Sequence, residues 1–190
     1  MEIKFLNVSY KDEINQKVIL KNLSFKIGSN TIVGFIGPDG SGKSSLFEYI
    51  NNLTLPDEGY IFFNDKPLHP KSYLKYKNKL GMVYQEPDKH FMGKTIDEVF
   101  TLRLLNYRGN KTKRIHDSLK MVGLDYHKLS PFISKLSLSE KRKLSLALVL
   151  ASNPDIILLD EALLDIDKTG KEVIPFIFKR QKICFIILIF

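Results

Sequence analysis

Residues 37–44 read Gly-Pro-Asp-Gly-Ser-Gly-Lys-Ser, with glycines at 37, 40 and 42 just ahead of a lysine and a serine. The six residues before them, Thr31-Ile32-Val33-Gly34-Phe35-Ile36, form an apolar run of strand length, and Ser44 to Asn51 behind them reads as the start of a helix. Strand, glycine-rich loop and helix in that order are what the G-x-x-x-x-G-K-[ST] phosphate-binding pattern requires. The glycines let backbone N–H groups curl around a β-phosphate, and the helix N-terminus adds its positive dipole end. Lys43 would then reach the β- and γ-phosphates, while the Ser44 hydroxyl can ligate Mg²⁺. Phosphate contacts are therefore expected from Gly37, Pro38, Asp39, Gly40, Ser41, Gly42, Lys43, Ser44 and Ser45. A plain glycine-rich turn is the competing reading, and the extra Gly40 and the strand context argue against it.

At 190 residues the chain is long enough for one domain, two-lobed at most, with a substantial core. Its one cysteine, Cys184, excludes an internal disulfide and fits a reducing compartment. Lys4, Asp12 and Glu13 interrupt the N-terminal apolar residues, so no signal peptide is expected. The longest apolar run, Ile183 to Phe190, falls well short of the roughly 20 residues a membrane helix needs. The formal charge of +8 comes from lysines scattered in local clusters at Lys71–Lys79, Lys111–Arg114 and Lys141–Lys143. No RNA-binding aromatic motif accompanies them, so they read as solvated faces and no nucleic acid is expected.

Along the chain, Ile3–Tyr10 and the alternating Leu23–Ile27 predict an antiparallel hairpin region. Gly59–Phe63 and Gly81–Tyr84 predict further strands, with a short basic helix over Lys71–Lys79 between them. From Thr95 to Leu150 the spacing turns helical, in Thr95–Leu105, Ile115–Val122 and Leu144–Leu150, punctuated by Gly109-Asn110 and Ser130-Pro131. The run Ile156–Leu159 then returns to the sheet. The expected fold is α/β: a P-loop NTPase core with a mixed sheet and antiparallel N-terminal strands, plus a helical subdomain. The core lobe is expected over 1–84 and 153–190, and the helical subdomain over about 86–152.

Ile156-Ile157-Leu158-Leu159 runs directly into Asp160-Glu161. A buried strand that delivers a carboxylate at its C-terminal edge is how a Walker B aspartate reaches a Mg²⁺ site. Asp160 would hold the metal, and Glu161 would orient or deprotonate the attacking water. Gln85 ends its own strand between the two motifs, where its amide oxygen could ligate Mg²⁺ or that water. Tyr10 is the candidate for stacking on an adenine base.

These residues resemble the nucleotide-binding domains of ABC transporters over essentially the whole chain. Leu20–Phe25 looks like the segment before the phosphate loop in that family. Met82-Val83-Tyr84-Gln85-Glu86-Pro87-Asp88, with Phe91 and Thr95–Val99, is similar to the Q-loop stretch of energy-coupling-factor and cobalt-type importer ATPases. Leu136–Arg142 sits where the family's LSGGQ signature belongs, with Ser137, Ser139 and Glu140 as its trans-acting contacts, and Asp165-Ile166-Asp167 falls at the D-loop. The resemblance implies ATP and Mg²⁺ as ligands and head-to-tail dimers that sandwich each ATP. It also implies an integral-membrane partner subunit and a peripheral place on the cytoplasmic face of the membrane.

The departures shape the expectation. Leu138 and Ser139 replace the two signature glycines that let backbone N–H groups approach a γ-phosphate across the dimer. That favours a heterodimer over a homodimer. The family's switch histidine is missing: none of His69, His90, His116 and His127 lies in its place, and each reads as a surface residue. Pro175 weakens the match in the preceding segment, and the C-terminus reads as incomplete. The reading is thus an ATPase subunit driving transmembrane import, with a non-hydrolysing regulatory or remnant nucleotide-binding module as the alternative. A soluble ABC-type ATPase acting on ribosomes or DNA ranks below both.

Overall fold

A computed structural model of the protein describes residues 1–12, 14, 16–161 and, as backbone, 184–189. Asp165–Asp167 and Pro175 lie outside the described residues. The chain divides into two compact units. The first comprises Met1–Leu80, Asp155–Asp160 and Lys182–Phe190; the second comprises Gly81–Pro154 and Glu161–Gln181.

The first unit carries two sheets. In one, β1 (Ile3–Lys11) pairs antiparallel with β2 (Val18–Ile27) and with β4 (Glu58–Phe63), and β5 (Lys66–Pro67) extends the order to β2-β1-β4-β5. Ile3 and Phe5 are buried while Lys4 and Leu6 are exposed, the period-two pattern of a sheet covered on one face. The β1–β2 register runs Ile3↔Ile27 and Phe5↔Phe25, then shifts beyond Phe5, near Asn7 and Asn22, which both adopt left-handed backbone at φ 50°. Asparagine tolerates that conformation better than branched residues do, so the irregularity falls where the sequence can carry it.

In the other sheet β8 (Cys184–Ile189) lies between β3 (Ile32–Ile36) and β7 (Ile156–Leu159), parallel to both. All four residues of β7 are buried, as expected for a parallel strand that reads as an unbroken apolar run. Its start is fixed at Lys79, whose carbonyl accepts from the Asp155 and Ile156 amides and whose ammonium pairs with Asp155 at 2.6 Å.

Helix α1 (Lys43–Asn52) follows β3 and turns Leu46, Phe47 and Ile50 inward at the i, i+1, i+4 spacing of one helical face. Four rings join these layers. Phe5 of β1 stacks on Phe25 of β2 at 4.4 Å, Phe25 meets Phe35 of β3 edge-on at 5.4 Å, and Phe35 meets Phe47 of α1 at 6.0 Å. Offset and edge-to-face pairs add to the area they bury, so this relay ties the antiparallel sheet to the strand and helix that flank the phosphate-loop motif. The expected basic helix is the shorter α2 (Tyr73–Lys77), entered through a 3-10 turn at Pro70–Ser72, with Tyr76 packed on Phe63 at 4.6 Å.

Strand β6 (Leu80–Val83) leads into the second unit, which holds α3 (Ile96–Arg103), α4 (Lys111–Met121) and α5 (Leu138–Ala151) with 3-10 turns at Pro87–His90 and Ile133–Lys135. Helices α4 and α5 start four and six residues ahead of the apolar spacings Ile115–Val122 and Leu144–Leu150. Apolar periodicity marks only the face that meets the core. The starts are set instead by caps: the Asn110 side chain accepts from the Lys113 amide at 2.9 Å, and Ser137 forms a reciprocal box with Glu140. Arg114 donates to the Ala151 and Leu150 carbonyls at 2.8 and 2.9 Å, closing the C-terminal end of α5 with a cation. Among the described residues no helix is long and apolar enough to cross a membrane.

Phe47 is fully buried in the ring relay. Phe47→Ala is expected to lower unfolding free energy by about 3–5 kcal/mol. Urea denaturation followed by far-UV circular dichroism checks this, and a loss below about 1 kcal/mol would remove the relay as the organising contact of the first unit.

Candidate functional site

The glycine-rich turn between β3 and α1 has the backbone its sequence demands. Gly40 and Gly42 adopt left-handed conformations at φ +75° and +88°. Beside Gly40 there is open space, whereas a Cβ on Gly42 would strike Leu20 Cδ2 at 2.7 Å and the Ile19 carbonyl at 3.2 Å. Position 42 therefore excludes a side chain twice over, by conformation and by contact. Gly42 is also the N-cap of α1 and brings no capping side chain to its first-turn amides. Lys43 folds its ammonium back over the turn, donating to the Gly37 carbonyl at 2.6 Å and the Pro38 carbonyl at 2.9 Å. The Ser41 amide donates to the Pro38 carbonyl at 3.2 Å, which tightens the same turn.

This donor set fits a polyphosphate: first-turn amides without a side-chain cap, a helix dipole of matching sign and a lysine held over the turn. Asp160, at the C-terminal tip of β7, belongs to the same unit, and its Oδ1 is buried. With the Ser44 hydroxyl it supplies the hard oxygen donors that Mg²⁺ prefers. The expected phosphate residues 37–45 and Asp160 thus share one compact unit.

Glu161 opens the final segment of the second unit and adopts left-handed backbone at φ 49°. A non-glycine residue there costs on the order of 1 kcal/mol. Within that unit Gln85 donates from Nε2 to Glu161 Oε2 at 2.6 Å. The structure therefore joins the two residues expected to organise water. A carboxamide that donates through its nitrogen keeps Oε1 as an acceptor for a metal or a water.

Two expectations, for Tyr10 and His90, change on the geometry. Tyr10 is only 2% exposed, its ring stacks on Tyr49 at 3.9 Å, and its hydroxyl donates to the Thr54 carbonyl at 2.7 Å. Burial pushes its phenol well above the ordinary range. A ring enclosed in this way offers no face to a base, so Tyr10 is a core residue and not the adenine platform. At the signature positions, the Ser137 amide and hydroxyl both donate to Glu140 Oε2 at 2.8 Å, and the Glu140 amide donates back to Ser137 Oγ at 3.3 Å. Ser137 and Glu140 hence form the N-terminal cap of α5, a role that the Ser-x-x-Glu spacing announces. Leu138 beside them is 53% exposed.

The second change concerns His90, which reads as a surface residue from sequence. Its Nε2 accepts the Tyr84 amide at 3.0 Å, and the two rings lie 5.0 Å apart. Burial first, and the Arg103 charge second, lower its pKa from 6.5 to about 4. Sequence reasoning missed this contact because nothing in residue spacing marks a histidine that caps a strand six residues upstream.

The sign of the His90 effect is fixed. The unfolded chain takes up a proton as pH falls below about 6.5 while the folded chain resists until about 4, so stability is lost across that interval and levels off below it. Wild type is expected to lose roughly 2 kcal/mol more than His90→Gln between pH 7 and pH 5. Urea titrations of both proteins at the two pH values check this, and equal slopes would contradict it. Ser137→Ala is expected to cost about 1 kcal/mol of stability through the lost cap, read from the same titrations at pH 7.

Comparisons with known proteins agree with these features. A family model described as "ABC transporter" matches residues 20–164. The energy-coupling factor transporter ATP-binding protein EcfA1 of Enterococcus faecalis is 37% identical over 187 residues, covering 96% of this chain and 66% of its own length. The EcfA1 of Oceanobacillus iheyensis is 34% identical, with 90% and 62% covered. The chain thus spans slightly under two thirds of the length of these curated relatives. Among solved structures, cbiO1 from Clostridium perfringens, part of the ABC transporter complex cbiONQ, superposes with a TM-score of 0.84 at 25% identity, covering 98% of this chain and 77% of that one. A dimeric ATP-binding cassette in a post-hydrolysis state, bound to ADP and Pi, superposes with a TM-score of 0.83 at 26% identity, covering 98% and 87%. With its phosphate loop, its strand-borne aspartate and the family match over residues 20–164, the chain belongs to the ABC transporter family.

Proposed function

We propose that this chain binds Mg-ATP at residues 37–45 and hydrolyses it as the ATP-binding subunit of an energy-coupling-factor-like importer. The observation that carries the reading is the Lys43 ammonium held over a turn whose left-handed glycines leave the first amides of α1 without a side-chain cap. Gly40, Gly42 and Lys43 would take the phosphates, and Ser44 and Asp160 the metal. When bound, the metal would supply charge neutralisation for the β- and γ-oxygens. Gln85 and Glu161, already joined by a hydrogen bond, would orient the attacking water, with Glu161 accepting its proton.

The importer assignment is supported by the names of the relatives, which are energy-coupling factor transporter ATP-binding proteins. A dimer is supported by the dimeric cassette among the structural neighbours. Pairing with a different cassette is supported by Leu138, whose exposed side chain stands at the first turn of α5 where a signature glycine would let a phosphate approach. A membrane-embedded partner is supported by apolar side chains on the second unit, where Met92 and Leu102 are 78% and 47% exposed beside a cavity of about 380 Å³. Such a subunit would work at the cytoplasmic face of the membrane without entering it.

Lys43→Ala is expected to weaken ATP binding by at least about 100-fold, because a charge-assisted contact to phosphate is lost from a site built around it. Titration with a fluorescent ATP analogue measures this; unchanged affinity would overturn the assignment. Glu161→Gln is expected to keep binding while phosphate release falls about 100-fold or more, assayed with the partner cassette present. Unchanged turnover would exclude Glu161 as the acceptor of the water's proton.

A further inference from the structure

We infer that His90 is a positioning residue: by accepting the Tyr84 amide through Nε2 it holds the Gln85 carboxamide on the Glu161 carboxylate. The inference deepens the hydrolytic reading given above and rests on it for its kinetic consequence, though not for its structural one.

Strand β6 ends at Val83, and Tyr84 is the residue from which the chain leaves it. An amide beyond the end of a strand has no ladder partner of its own strand and must find another acceptor if it is to stay out of water. Here the acceptor is the His90 imidazole, at 3.0 Å. That bond closes a loop from residue 84 to residue 90, and Gln85 is the first residue inside it. One peptide from the clamped amide, the Gln85 side chain donates to Glu161 at 2.6 Å. The backbone that presents Gln85 is thus held at its near end by His90.

The far end of the loop is anchored too. Pro87 is buried, and its carbonyl faces Ser145 Oγ of α5 at 3.4 Å. Asp88 pairs with Lys141 of α5 at 2.8 Å. The Phe91 amide donates to the Asp88 carbonyl at 3.1 Å and the Lys89 amide to the Glu86 carbonyl at 3.2 Å, which completes the 3-10 turn carrying His90. With the turn pinned to α5, the imidazole becomes a fixed acceptor and not a swinging one. Without it, the Tyr84 amide loses its acceptor, and Gln85 is held only by the chain leaving β6 and by the turn pinned to α5.

Acceptance requires an imidazole nitrogen without a proton. Burial supplies this condition, and Arg103 on α3 is the charge that reinforces it by disfavouring a second cation. On the turn itself Lys89 pairs with Glu86 at 3.5 Å and Asp88 with Lys141 at 2.8 Å, and Tyr84 contributes its ring at 5.0 Å. Nδ1 then carries the ring's proton. A glutamine at this position presents an amide oxygen that can accept the same N–H, whereas a phenylalanine fills the space and accepts nothing.

Two variants therefore separate positioning from packing. ¹⁵N-labelled glutamine reports the Gln85 side-chain resonances in the intact chain, without nucleotide. Wild type and His90→Gln are expected to show Gln85 amide protons shifted by the carboxylate, and His90→Phe to show them at solvent-exposed values. In the ATPase assay with the partner cassette, His90→Phe is expected to lose kcat by roughly ten- to a hundredfold with KM for ATP unchanged, and His90→Gln to recover most of it. If His90→Phe keeps both the Gln85 shift and kcat, or if His90→Gln fails to restore the shift, the positioning role is wrong. If wild type shows no turnover at all, the hydrolytic reading fails, while the Gln85 resonances still decide what His90 does.

Discussion

Leu20 and the Ile19 carbonyl leave no room for a side chain at Gly42, and the turn between β3 and α1 is built on that restriction. A Cβ at position 42 would lie 2.7 Å from the leucine and 3.2 Å from the Ile19 carbonyl, and the backbone at φ +88° would strain it besides. The chain can therefore pass from β3 into α1 only through glycine, and the helix begins without a side-chain cap. Two consequences follow from one steric fact. The first-turn amides carry no side-chain cap, and Lys43 lies across the Gly37 and Pro38 carbonyls. The ring relay Phe5–Phe25–Phe35–Phe47 holds both flanks of the turn on one core, so the local conformation is backed by burial of large side chains.

Asp160 closes a segment of the first unit and Glu161 opens a segment of the second, so one peptide bond separates the carboxylate proposed to hold a metal from the one proposed to accept the water's proton. The two acids differ in environment accordingly. Asp160 ends a wholly buried parallel strand, whereas Glu161 sits in left-handed backbone and accepts a hydrogen bond from Gln85. Strain of that kind persists only where surrounding contacts over-determine it. The Glu161 carboxylate accepts from Gln85, and one residue before Gln85 the Tyr84 amide donates to His90.

Much of this was legible in the residues because it rests on local pattern. The glycine spacing at 37–42, the apolar run Ile156–Leu159 into Asp160, and the alternating hairpin strands each carry their own physical cause. Helix starts were less legible, since apolar spacing reports the buried face and misses the polar first turns of α4 and α5, which Asn110 and Ser137 define. Tyr10 misled for a related reason: an aromatic near a phosphate loop has the right chemistry for stacking on a base, and only the ring of Tyr49 and the Thr54 carbonyl show that its faces are taken. His90 was invisible because its partner is a backbone amide, which leaves no mark on the sequence. The Ser137–Glu140 box is legible in the Ser-x-x-Glu spacing itself, which marks the start of α5.

A crystal of the protein grown with a non-hydrolysable ATP analogue and Mn²⁺ tests the central claim most directly, because the metal's anomalous signal locates it independently of the phosphates. The account predicts triphosphate density wrapped by the amides of residues 40–45 and an anomalous peak ligated by Ser44 Oγ, with the Asp160 carboxylate bound to it directly or through water. Nucleotide bound elsewhere, or a metal peak remote from both side chains, would contradict it.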